Sequence, residues 1–388
     1  MAIQPADRIK NLPAYVFKAL DEAKEKALAK GVDLISLSIG DPDFMPPPAT
    51  IEAMKTALDE PENHRYPSYV GMASFRQAVA KWMKHRYDLD FDPNGEILTL
   101  IGSKEGIAHL PLGYLNPGDV ALLPNPGFPM YTSTVQFAGG EPWQYPLKRE
   151  NDYLPDFAEI PEDIAARAKL LYLNYPHNPT GAVADLAFYE KAVAFAKAHD
   201  ILIMQDAAYS EVYNDQQPPS IFQVEGGRDC AIEVYSFSKS YSATGWRLGY
   251  AVGDRELLYP LMRVKDQVDS GQFNVVQEAG IAAMALGDPA CNDVREVYRS
   301  RREAAMKSIT EAGYEVFDTG ATLYIWVKVP FDCTSAVFCA RALEEQGVLV
   351  TPGNAFGSQG EGWFRIALCL EADRIAEGAA RLAKLLQT

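Results

Sequence analysis

The chain has 388 residues, 48% hydrophobic and 23% charged, enough apolar material for two ordinary domain cores without staples. A formal net charge of −16 argues against nucleic-acid partners and against an anionic membrane surface, because both demand clustered Lys and Arg. Five cysteines with no Cys-x-x-Cys, and five scattered histidines with no His-Glu-x-x-His, support neither a disulfide framework nor a metal site.

The N-terminal MAIQPADRIK lacks the apolar core of a secretory signal, and no stretch approaches the ~20 apolar residues of a membrane span. A cytoplasmic protein is expected. Residues 14–30 carry apolar side chains at three and four spacing and stop before Gly31, which predicts a helix. DLISLSIGDPDFMPPP then predicts a short strand entering a Pro-rich turn. Strands are predicted at ILTLIGS (97–103), DVALLPNP (119–126), KLLYLNYP (169–176), ILIMQDAAY (201–209), AIEVYSF (231–237) and RLGYAVG (247–253). Between them, KEGIAHLPLGYL begins helically. Residues 184–199 predict a helix with Phe188, Ala192 and Phe195 on one face. Short apolar runs separated by helices imply an α/β fold with a mostly parallel sheet covered on both sides. From about residue 290 a long charged helix leads to ATLYIWVKVP and WFRIALCL, a smaller α+β unit that packs with the N-terminal segment.

Ligands of open α/β sheets bind beyond the carboxyl ends of the strands. The residues placed there include Ser103 and Lys104, Asn178, Asp206 and Tyr209, then Ser236, Ser238 and Lys239, with Arg247 eight residues further on. Ser103, Lys104, Ser236, Ser238 and Arg247 are the donors a phosphate dianion requires. Asp206 suits a protonated ring nitrogen, Asn178 and Tyr209 suit a phenolate oxygen, and Lys239 suits an aldehyde. Each residue alone has an ordinary reading as turn, cap or surface group. Their order and spacing together carry the expectation.

NPTG (178–181), DAAY (206–209) and SFSKSYSATGWRLGY (236–250) resemble the class I/II aminotransferases of pyridoxal 5′-phosphate (PLP) fold type I, and the likeness runs from about Asp7 to Arg381. The resemblance implies an aspartate-aminotransferase-like fold. Residues 1–50 would form an N-terminal arm and part of the small domain, 51–288 the large PLP-binding domain and 289–388 the small C-terminal domain. It implies that Lys239 bonds the cofactor and moves the substrate proton. Asp206 holds the ring nitrogen, Asn178 and Tyr209 hold the ring hydroxyl, and Ser103, Ser236, Ser238 and Arg247 hold the phosphate. Arg365 and Gly40 match contacts to the substrate α-carboxylate, and Phe128 matches a ring stacked on the cofactor. Tyr66 matches a tyrosine reaching a neighbouring subunit's phosphate, which implies a homodimer with shared active sites.

GSKEGIAHLPL (102–112) resembles both LL-diaminopimelate aminotransferases and glutamate–pyruvate (alanine) aminotransferases. VDSGQFNVVQEAGIAA (268–283) and RIKNLPAYVF (8–17) look more like the diaminopimelate group, which implies that Tyr15, Lys104 and Asn274 touch substrate. The expected reaction is therefore amino transfer from LL-diaminopimelate to 2-oxoglutarate, in lysine biosynthesis. Phe128 departs from that group, where many members carry a tyrosine; it can stack but has no hydroxyl to offer. Ser236-Phe237-Ser238-Lys239 also matches the Ser-x-x-Lys of acyl-enzymes, but the partner motifs Ser-Asp-Asn and Lys-Thr-Gly do not occur. A PLP-binding transcription regulator would carry a basic extension. A PLP-dependent lyase shares the scaffold, but Arg365 argues against α-decarboxylation because it anchors the carboxylate that would leave.

Overall fold

The structure, a computed structural model, describes residues 3–10, 12 and 16–387. Tyr15, expected to touch substrate, lies outside them. The first long helix, Val16–Ala29, closes before Gly31, whose φ of +73° is a conformation glycine adopts without strain. A two-residue strand follows, β1 (Ile35–Ser36).

Seven strands then build one sheet: β2 (Ile97–Leu100), β3 (Val120–Asn125), β4 (Glu141–Pro146), β5 (Ala168–Leu173), β6 (Leu202–Asp206), β7 (Ala231–Ser236) and β8 (Gly249–Gly253). Their order is β2-β8-β7-β6-β5-β3-β4. Every neighbouring pair is parallel except the two made by β8, which runs against both β2 and β7. β2, β3, β6 and β7 are buried along their whole length, as expected of strands covered by helices on both faces. One covering helix, Leu186–Ala198, is capped by Asp185, whose carboxylate accepts from the Phe188 N–H at 2.7 Å. It buries Phe188, Tyr189, Ala192, Val193 and Ala196, while Phe195 is only partly covered and stacks on Phe157.

β4 is absent from the sequence reading. It contains Pro142 and Pro146 and is mostly accessible, properties that only a sheet edge tolerates.

A second, antiparallel sheet has the order β12-β13-β10-β9, formed by β9 (Val316–Phe317), β10 (Tyr324–Lys328), β12 (Thr351–Pro352) and β13 (Trp363–Ala367). β11 (Val348–Leu349) pairs in parallel with β1, so the N-terminal segment joins this part of the molecule. The charged helix Asp288–Glu311 packs here, and three of its arginines are interior. Arg301 donates to Asp43 at 2.6 and 3.1 Å, clamping the turn after β1, and Arg302 holds Asp318. A buried guanidinium of this kind is tolerated because carboxylates and backbone carbonyls accept most of its donors, the Arg302 Nε–H excepted.

Candidate active site

The carboxyl ends of β2, β3, β5, β6 and β7 share one edge of the large sheet. β8 runs the other way, so its start reaches that edge too and brings Arg247 with it. A cavity of about 460 Å³ opens there. Its lining includes Ser103, Lys104, Phe128, Asn178, Asp206, Tyr209, Ser236, Ser238, Lys239 and Arg247 from the large sheet's side. Gly40, Tyr324 and Arg365 line it from the other side.

Asp206 ends β6. It is 5% exposed, and its carboxylate accepts from the Tyr131 hydroxyl (2.8 Å) and the Ala208 N–H (3.2 Å). Burial pushes its carboxyl up to about 6, although both hydrogen bonds pull it back. No cationic side chain among the described residues pairs with it. Asn174, just past β5, donates to the Asp206 carbonyl (2.8 Å) and accepts from the Asn178 N–H (2.9 Å), so one amide aligns the ends of two strands.

Lys239 stands on a single helical turn, Phe237–Ser240, capped by Ser236, whose hydroxyl accepts from the Ser238 N–H. The Lys239 ammonium donates to the Gly40 carbonyl, 199 residues away in sequence. Burial, helped by the charges of Arg365 and Arg247, lowers its pKa to about 8, against the opposing pull of Cys369 and Asp41. Arg365 lies on β13 and is 1% exposed. It donates to the Asn178 side-chain oxygen (2.8 Å) and the Ser38 carbonyl (2.6 Å), and its guanidinium stacks 3.9 Å from the Tyr324 ring centre. The Tyr324 and Tyr209 hydroxyls meet at 3.0 Å.

The anion-binding side is built by close backbone approach. Gly102, at φ +75°, precedes the helix Ser103–Tyr114. A Cβ there would stand 2.6 Å from an Arg247 nitrogen, so the guanidinium lies directly over this glycine. Arg247 is itself held in the left-handed region (φ +52°) and donates to the Thr244 carbonyl at 2.7 Å. Helix start, hydroxyls and guanidinium together form a cradle for a phosphate. Beneath it, Glu105 accepts from the Ile101 N–H (2.5 Å) and pairs with buried Lys265 (3.1 Å), which also pairs with Asp269 (3.0 Å). Glu105, His109 and Asp269 approach one another closely enough to suggest a metal ion, but the Lys265 ammonium already answers both carboxylates.

The donor set fits pyridoxal phosphate. It offers a phosphate cradle, a poised amine, and a buried carboxylate that lacks a cation and would gain one from a protonated ring nitrogen.

A family profile described as aminotransferase class I and II matches residues 32–382. Two curated relatives are LL-diaminopimelate aminotransferases. One, from Aquifex aeolicus, is 50% identical over 98% of both chains. The other, from Nitratidesulfovibrio vulgaris (strain Hildenborough), is 49% identical over 99% of this chain and all of its own. The chain belongs to the class I and II aminotransferases. Among solved structures, substrate-bound BacF from Bacillus subtilis superposes with a TM-score of 0.94 at 36% identity, covering 99% of this chain and 98% of that one. A Thermus thermophilus aspartate aminotransferase mutant superposes at 0.92 with 26% identity, covering 99% and 100%. The fold is that of fold type I aminotransferases.

Two sequence-predicted residues of this aminotransferase stand apart from the cavity lining. Tyr66 is 91% exposed on the surface, and Asn274 opens the helix Asn274–Ala285. The sequence reading passed over Tyr131, Asn174, Tyr324, Thr244, Asp41 and Asp21, all of which line the cavity. Tyr131 and Asn174 lay within reach of that reading, since Tyr131 closely follows one predicted strand and Asn174 stands near the carboxyl end of another; Asp21 did not.

The lowered pKa of Lys239 has a direct readout. In the cofactor-free protein, acylation of Lys239 by a small amine-reactive reagent, followed by mass spectrometry, accelerates with pH and levels off above about pH 8. A rate still climbing tenfold per unit beyond pH 9 would mean the lysine is unperturbed.

Proposed function

We propose that this aminotransferase moves the amino group of LL-diaminopimelate to 2-oxoglutarate, using pyridoxal 5′-phosphate held by Lys239. The observation that carries the reading is the convergence of Lys239, Asp206 and Arg365 on one cavity in a chain about half identical, end to end, to LL-diaminopimelate aminotransferases. The amino-oxo acid left behind cyclises to tetrahydrodipicolinate, which places the reaction in lysine biosynthesis.

Bound in this cavity, pyridoxal phosphate supplies an electron sink that acidifies the substrate α-hydrogen. Gly102, Ser103, Ser236, Ser238 and Arg247 hold its phosphate, and Phe128 covers its ring. Asp206 keeps the ring nitrogen protonated, and Tyr131 and Ala208 keep Asp206 in place. Asn178 and Tyr209 donate to the ring hydroxyl. Arg365, already aimed by Asn178 and Ser38, takes the substrate α-carboxylate bidentately, with Gly40 beside it. The Lys239 amine, neutral above about pH 8, accepts the α-proton and returns it on the other side of the reaction. Lys104 meets the far carboxylate common to both substrates.

We further read residues 51–288 as the cofactor-binding domain and 289–388, with part of 1–50, as the small domain. The β1–β11 pairing and the Arg301–Asp43 clamp support that division. A homodimer is supported by an apolar surface around Tyr66: the 64–69 segment lies against 268–273, and Tyr69, Val268 and Phe273 are exposed there too. Asn274 begins the helix that leaves this surface. Five free cysteines suit a reducing cytoplasm, and no helix among the described residues is long and apolar enough to cross a membrane.

The test is an absorbance titration of the holoenzyme. LL-diaminopimelate should abolish the visible band of the lysine-bound cofactor, and 2-oxoglutarate should restore it. A band that ignores LL-diaminopimelate but responds to alanine or glutamate overturns the donor. A protein that binds no cofactor overturns the whole reading.

A further inference from the structure

Three acids line the active-site cavity: Asp21, Asp41 and Asp206. Two of them are engaged. Asp206 is buried at the end of β6 under Tyr131, and Asp41 accepts from the Thr244 hydroxyl at 2.8 Å. Asp41 also lies close enough to the reacting lysine to raise its pKa, whereas Asp21 is not among the charges that do. Asp21 is exposed, stands in the second turn of the helix Val16–Ala29, and makes no hydrogen bond or ion pair among the described residues. It is an exposed carboxylate in the cavity lining that no cation among the described residues answers.

The cavity's cations, by contrast, have evident anions. Arg247 lies over the helix start that suits a phosphate, and Arg365 suits an α-carboxylate. Lys104, in the same lining, suits a second carboxylate. That set would be complete for glutamate and 2-oxoglutarate, which carry no charge at their far end other than a carboxylate. An unanswered acid in the same cavity repels both. It becomes favourable only when the far end also bears an ammonium group. A diamino dicarboxylate has such a group, four carbons beyond the reacting one.

We propose that Asp21 is a specificity-determining residue that pairs with the distal ammonium group of a diamino dicarboxylic substrate, so that the cavity selects a zwitterionic far end over a bare carboxylate. The assignment rests on the reading of LL-diaminopimelate as donor and adds the residue that distinguishes this donor from glutamate. The helix that carries Asp21 reaches the cavity from the N-terminal segment, outside the large sheet. Discrimination is thereby separated from the groups that hold the cofactor and the α-carboxylate. An exposed pair of this kind is partly screened by water, so the expected preference is moderate and shrinks with salt.

The test compares wild-type, Asp21→Asn and Asp21→Glu holoenzymes. Two quantities are read: the LL-diaminopimelate concentration that half-converts the visible band, and the KM for 2-oxoglutarate in the return half-reaction. Asp21→Asn should raise the first about three- to tenfold and leave the second unchanged or lower, because it removes an attraction in one case and a repulsion in the other. Asp21→Glu should restore the first, and 0.5 M salt should reduce the gap. A merely structural role would move both substrates in the same direction. Equal shifts, or no shift while wild type accepts LL-diaminopimelate, overturn this assignment and leave the proposed function standing. A wild-type enzyme indifferent to LL-diaminopimelate overturns both.

Discussion

Lys239→Ala is expected to lower turnover at least about 10⁴-fold while leaving a folded protein that still binds some cofactor. The lysine serves twice, as the amine that holds the cofactor and as the base at the substrate α-carbon, and proton transfer alone is typically worth about 10²–10⁴. Single-turnover absorbance kinetics, with melting curves of both proteins, provide the check. The stability comparison has a definite sign. Burial lowers this lysine from 10.5 to about 8, so the unfolded chain binds the proton more tightly than the cofactor-free fold does. The charged amine therefore opposes folding fully below about pH 8, and that opposition fades as pH rises toward 10.5. Cofactor-free Lys239→Ala should melt no lower than cofactor-free wild type at pH 7, with its relative advantage shrinking above pH 8. Multiple turnovers at near wild-type rate by the alanine variant would remove Lys239 from the chemistry.

Asp206→Asn carries the second large effect, a turnover loss of about 10²–10³-fold with weaker cofactor retention. The asparagine keeps one acceptor oxygen for the Ala208 N–H and turns its NH2 to the Tyr131 hydroxyl, which can accept in place of donating, so packing around β6 persists while the negative charge is lost. In a buried setting, a fixed charge aimed at a developing one is worth that order of rate. Without the cofactor, burial raises the Asp206 carboxyl to about 6; a protonated ring nitrogen beside it would favour its ionised form and lower that value. Steady-state turnover, the cofactor dissociation constant and the melting temperature together separate the electrostatic loss from unfolding. An unchanged turnover number would exclude Asp206 from contact with the ring.

What was legible in the sequence was local. Runs such as ILIMQD and AIEVYSF are too apolar for anything but covered strands, and the polar residues that end them stand where an α/β sheet presents ligands. β4 was illegible because an edge strand needs neither a continuous apolar run nor freedom from proline. In the charged helix Asp288–Glu311, the burial of Arg295, Arg301 and Arg302 was illegible, because their partners come from distant segments that no helical periodicity records.

The sequence by itself determined the fold class, the strand-end residues and the family, since each depends on residue type and short-range spacing. Tertiary structure alone decided which of those residues meet. The reversal of β8 carries Arg247 to the same edge as Ser103 and Ser238, and β13 delivers Arg365 to Asn178 across 187 positions. Tyr131 reaches Asp206 across 75, and the N-terminal helix brings Asp21 into the cavity lining. Such meetings are set by strand direction and by the packing of separate layers, and neither leaves a periodic trace along the chain.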